Sequence, residues 1–88
     1  MAHQVPWNKI ILETFIELAA LSREEEWVMR TRVAGWPRTK QAMELNISIE
    51  TLDRIIRRLK RKYDAVQPHS PLLPPRKKST EELWMDTH

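Results

Sequence analysis

A single glycine, Gly35, serves a chain of 88 residues. Strand-rich folds turn tightly and often, and glycine supplies the positive φ that such turns need. One glycine therefore argues against hairpins, and against any glycine-rich loop that cradles phosphate. Leu, Met, Glu, Lys, Arg and Ala prevail instead, the residues that lose least on entering a helix. Cysteine is absent, so no disulfide or thiolate metal site can staple the chain, and packing must hold it. The expected fold class is all-α: a small four-helix domain containing a helix-turn-helix, with a Pro-rich C-terminal arm.

Capping and stop signals divide the chain. A first helix is expected from Pro6 to about Ala20, with Pro6 in a first turn that does not need its N–H. Trp7, Ile11, Thr14, Phe15 and Leu18 recur at helical spacing, and Ile10, Leu12 and Ile16 widen the apolar face. Ser22 and Glu25 form a capping box for a second helix, whose acidic start, residues 24–26, suits the helix dipole. That helix should run to about Ala34 and stop at Gly35 in the left-handed conformation. Trp36 and Pro37 open a short third helix, through Ala42 to Leu45. Asn46 then supplies a tight turn, because it tolerates the left-handed region, and Ser48 caps a fourth helix from Ile49 to about Tyr63.

This fourth helix is the clearest amphipathic segment. Leu52, Ile55, Ile56, Leu59 and Tyr63 fall within roughly 100° of its circumference, and Glu50, Arg54, Arg57 and Arg61 lie opposite. Charge concentrates here too. The whole chain carries +3, yet residues 38–62 hold eight basic and three acidic side chains, so this stretch alone is +5. Positive charge gathered on one element is the footprint of a polyanion binder.

Beyond Asp64 the composition changes. Four prolines among the nine residues 67–75 exclude a regular helix or a central strand, and residues 65–88 read as an extended arm after a domain of residues 1–64. Ser79 and Glu82 could cap a last short turn carrying Leu83 and Trp84.

Helices three and four, joined by residues 46–48, have the form of a helix-turn-helix. Ala42 is small where the helices cross, and Leu45, Ile47, Leu52 and Ile55 supply the shared core. The major groove is wide enough to admit the second helix of such a pair. With these residues in view, the run from Leu21 to Tyr63 resembles region 4 of bacterial sigma-70-type factors and the regulators built on that domain. The likeness rests on Ser22-Arg23-Glu24-Glu25, on Gly35, on Gln41, Ala42, Leu45, Asn46, Ile47 and Ser48 at the turn, and on Thr51, Leu52, Arg54 and the basic run to Lys62. Two positions depart from the family: Gln41 stands where it usually has an apolar residue, and Asn46 where it usually has Gly. The resemblance implies a stand-alone module of the phage or mobile-element type, without the second domain that a sigma factor uses to open promoter DNA.

Carried onto this chain, the resemblance implies a groove-facing set of Ser48, Ile49, Glu50, Asp53, Arg54 and Arg57. Arg38, Thr39, Lys40, Arg58 and Arg61 would serve the phosphate backbone. Glu50–Arg54 and Asp53–Arg57 also stand at i, i+4, a spacing at which the face would partly neutralise itself. The expected function is a sequence-specific DNA-binding regulator of transcription, with double-stranded DNA as partner. The alternative is a small phage-type module that binds or inhibits RNA polymerase or another host protein. Ile16, Leu83 and Trp84 are candidate partner-binding residues, and a homodimer would extend the few base pairs that one helix-turn-helix reads. No catalytic residue, metal ligand or cofactor is expected: His3, His69 and His88 are scattered, and the carboxylates lie beside Lys or Arg. No apolar run approaches the ~18 residues of a membrane span and no signal peptide opens the chain, so a cytoplasmic protein is expected.

Overall fold

The structure, a computed structural model, describes residues 7–75. Within them four helices follow one another: α1 (Lys9–Ala19), α2 (Arg23–Val33), α3 (Arg38–Leu45) and α4 (Ile49–Val66), the last running into a 3-10 turn at Gln67–His69. No strand occurs among the described residues. The all-α architecture is therefore as expected.

Each start has a local cause. Asn8 caps α1 by accepting from the Ile11 amide at 2.9 Å. The helix thus begins at Lys9 and not at Pro6, which lies outside the described residues, and Trp7 precedes it. Ser22 and Glu25 complete the capping box of α2, the Ser22 hydroxyl accepting from Glu25 N at 3.1 Å and the Glu25 carboxylate from Ser22 N at 3.0 Å. Ser48 caps α4 through the Thr51 amide at 3.1 Å.

The first three helices also stop alike. A left-handed residue follows each: Ala20 at φ 50°, Gly35 at φ 98° and Asn46 at φ 59°. The next amide reaches back five residues, from Leu21 to Ile16 O, from Trp36 to Thr31 O and from Ile47 to Ala42 O, at 3.3, 2.9 and 3.0 Å. This closure satisfies carbonyls that the helix end would otherwise orphan, and it leaves an apolar side chain facing back over the last turn. Leu21, Trp36 and Ile47 fill that role, and the first and last pack on the core.

The longest helix, α4, packs against α1, α2 and α3. Its Leu52, Ile55, Ile56, Leu59 and Tyr63 are all buried, against Ile11, Leu12 and Phe15 of α1, Val28 and Met29 of α2, and Ala42 of α3. Full burial of one such side chain is worth about 1.5–3 kcal/mol. Three rings close one end: Phe15 and Tyr63 meet edge-on at 5.2 Å, with Trp7 at 5.9 and 5.6 Å from them. Arg30 ties α1 to α2, grasping Glu13 with both terminal nitrogens at 2.8 and 3.1 Å and Glu26 through Nε at 2.8 Å.

Several details differ from the sequence reading. Leu18 shares the helical rhythm of Phe15 yet is exposed, as is Ile10. Ile16, a candidate partner contact, is half-buried and packs against the core. Helix α4 continues past Tyr63 to Val66. Residues 67–75 are not extended but fold back: Leu73 is buried, the Gln67 side-chain amide donates to its carbonyl at 3.0 Å, and the Tyr63 hydroxyl donates to the Pro74 carbonyl. Leu83 and Trp84 lie outside the described residues. Within those residues, no helix is long and apolar enough to cross a membrane.

Candidate nucleic-acid interface

Helices α3 and α4 meet across a three-residue turn whose geometry Asn46 sets, with backbone at φ 59°, ψ 46°. Ala42 is buried beside the turn, and Leu45 and Ile47 are half-buried against the core. The Ser48 hydroxyl, besides capping α4, donates to Thr51 Oγ1 at 2.9 Å, so its hydrogen-bonding capacity is largely used locally.

The first turn of α3 carries three of the expected phosphate contacts. Arg38, Thr39 and Lys40 are all exposed. No side chain caps this helix, since its N-cap is Pro37. Lys40 Nζ sits 4.2 Å from the centre of the Trp36 ring, a cation–π contact, and Trp36 meets Trp27 edge-on at 5.4 Å. Arg38 reaches across to α4 and pairs with Asp53 at 2.7 Å. The i, i+4 pairing of Asp53 with Arg57 does not form, because Asp53 is committed to α3 instead.

Glu50, Arg54, Arg57 and Arg61 occupy a strip of α4 about 60° wide, at about 100° per residue, on the side opposite the core. All four are exposed. Among the described residues none of them forms an ion pair, so the expected Glu50–Arg54 pair is also missing. Ile49, by contrast, is half-buried and packs against the core.

Arg58 lies on the flank of this strip, turned towards α2. Its Nε donates to Glu25 Oε2 at 2.7 Å, and Lys62, one turn on, donates to both Glu25 oxygens at 2.8 and 3.0 Å. The Glu25 side chain is only 3% exposed. Burial by itself would raise its carboxyl, but Lys62, the Ser22 amide and Arg58 together outweigh that and hold it at about 2. Sequence reasoning missed this role, seeing Glu25 as a capping residue at a helix start. The Arg58–Lys62 spacing puts two cations on one flank of α4 but does not say which residue faces them, and Glu25 lies 33 positions before Arg58.

Gln41 is fully buried. Its side-chain amide donates to the Val28 carbonyl at 3.0 Å and to Thr31 Oγ1 at 2.8 Å, bonding α3 to α2, while Oε1 finds no partner. The polar residue at this position is thus accommodated by α2 and does not face outward.

Comparison with protein-family models, curated proteins and solved structures finds no match. The functional reading accordingly stands on the residues themselves.

Proposed function

We propose that this chain is a sequence-specific DNA-binding regulator of transcription that reads the duplex with α4, as the resemblance to sigma region 4 implies. One observation carries the reading: Arg54, Arg57 and Arg61 form an exposed strip, free of acidic partners among the described residues, on a helix whose opposite side is the core. Solvated arginines in register on a rigid helix suit a polyanion with a periodic backbone. In this reading Arg54 and Arg57, nearer the start of α4 than Arg61, contact base edges, where a bidentate pair with guanine is worth about 1–3 kcal/mol. In the same reading Arg61, with Thr39 and Lys40 from α3, serves the phosphates.

Affinity for mixed-sequence duplex as a function of salt tests this. With about three cationic phosphate contacts, from Arg38, Lys40 and Arg61, binding should fall about 40-fold between about 50 and 200 mM salt. Absence of duplex binding at the lower concentration overturns the reading.

A second reading has its own support in Met43 on α3, which is 78% exposed, and in Ile10 and Leu18, exposed on α1. Apolar side chains of this kind suit a protein partner, such as RNA polymerase or another host protein. Binding to that partner without any duplex affinity would favour it.

A further inference from the structure

Basic residues of α4 are not equivalent, although the sequence presents them as one run. Arg58 and Lys62 stand four apart, on one side of the helix, facing α2. There they meet the one buried carboxylate among the described residues. Both Glu25 oxygens are occupied: Oε1 accepts from Ser22 N at 3.0 Å and Lys62 Nζ at 2.8 Å, and Oε2 from Arg58 Nε at 2.7 Å and Lys62 Nζ at 3.0 Å.

We propose that Glu25 is a positioning residue of the DNA interface: it withholds Arg58 and Lys62 from the phosphates and leaves the Arg54–Arg57–Arg61 strip to set affinity and its salt dependence. The inference rests on the DNA-reading function proposed above. Its physical basis is a contrast in solvation. A phosphate that loses a cation keeps its water, whereas the Glu25 side chain is only 3% exposed and takes three of its four hydrogen bonds from Arg58 and Lys62. Duplex therefore cannot draw the two cations away without leaving a buried charge unpaired. Phosphate contacts raise affinity for every sequence alike, so withholding two of them lowers binding to all duplexes and flattens its salt dependence. Arg38 is held by Asp53 in a pair far more open to solvent, and it stays available to phosphate in a way that Arg58 does not.

The experiment is the salt dependence of binding to mixed-sequence duplex by the full chain and three variants. Arg61→Ala should lower the slope of log affinity against log salt by about 0.9, the loss of one phosphate contact. Arg58→Ala should leave the slope unchanged. Glu25→Gln, which can still accept from the Ser22 amide, should steepen it by about 0.9 to 1.8 and tighten mixed-sequence binding several-fold at about 100 mM salt. Equal slopes for Arg58→Ala and Arg61→Ala overturn the proposal, as does a folded Glu25→Gln variant with the native slope. Should Glu25→Gln fail to fold, the comparison of Arg58→Ala with Arg61→Ala decides alone, because Lys62 remains on Glu25 in both. If the native chain binds no duplex at low salt, the DNA-reading function itself is refuted and this proposal falls with it; native binding with wrong slopes refutes only the role of Glu25.

Discussion

Arg38 Nη1 lies 2.7 Å from Asp53 Oδ1, so one ion pair joins the first turn of α3 to the second turn of α4. It sets the two helices of the helix-turn-helix against each other on their solvent side. The pair is half open to water, and exposed pairs are worth only about 0–1 kcal/mol. Asp53→Asn should therefore shift the unfolding free energy by less than about 1 kcal/mol. It should also bind mixed-sequence duplex several-fold more tightly at low salt, since a carboxylate leaves the face. Weaker binding would instead give Asp53 a direct part in recognition.

Arg54→Ala should change which sequences are preferred, because the proposed function gives Arg54 a contact with base edges. Selection from random duplexes, run on the native chain and the variant, reads this directly. A uniform loss across all sequences would move Arg54 to the phosphate set.

Stability should fall in acid through Glu25. Its carboxyl is depressed in the fold from an ordinary 4.5 to about 2. A group so depressed contributes stability that is complete above its unfolded value and is lost as pH falls through its folded value. The window is therefore about 4.5 down to about 2, and the shift corresponds to a loss on the order of 3 kcal/mol. Urea unfolding of the native chain and Glu25→Gln across this range should show the native advantage at neutral pH shrinking to little at the acid end. A constant difference between the two would refute the assignment.

Leu73 and Leu72 are neighbours with opposite environments, the first buried and the second exposed. Leu73→Ala should cost about 2–5 kcal/mol, the usual range for emptying a buried leucine site. Leu72→Ala should stay within about 0.5 kcal/mol of native. Thermal melts of the two variants test whether residues 67–75 are part of the folded body, and equal effects would show that they are not.

Ala20 adopts φ 50° at the end of α1, a conformation its Cβ disfavours. Ala20→Gly should relieve that strain, partly offset by the entropy glycine adds to the unfolded chain. The expected gain is up to about 1 kcal/mol, read as an increased denaturation midpoint. A lower midpoint would count against the left-handed turn.

Much of the fold was legible in the residues. Capping at Ser22 and Ser48, the turns at Gly35 and Asn46 and the buried stripe of α4 all depend on groups within a few positions of one another. Leu18 was not legible, because periodicity gives a residue's angle on its helix and not what lies beside it; the neighbours that bury Phe15 do not cover Leu18. The same limit applied to the candidate interface. Arg58 and Arg61 looked alike in sequence, and what separates them is a carboxylate 33 positions earlier.

The scarcity of glycine illustrates the division. By itself the sequence determined that this chain is helical, where its helices break, and which face of α4 is apolar, since local sterics, capping bonds and helical period suffice for these. It could not show that Ala20 closes α1 in the same left-handed way as Gly35 and Asn46, nor that Glu25 is buried beneath two cations. Those are decided by tertiary packing, which brings distant groups together and removes the water that would otherwise make their charges interchangeable.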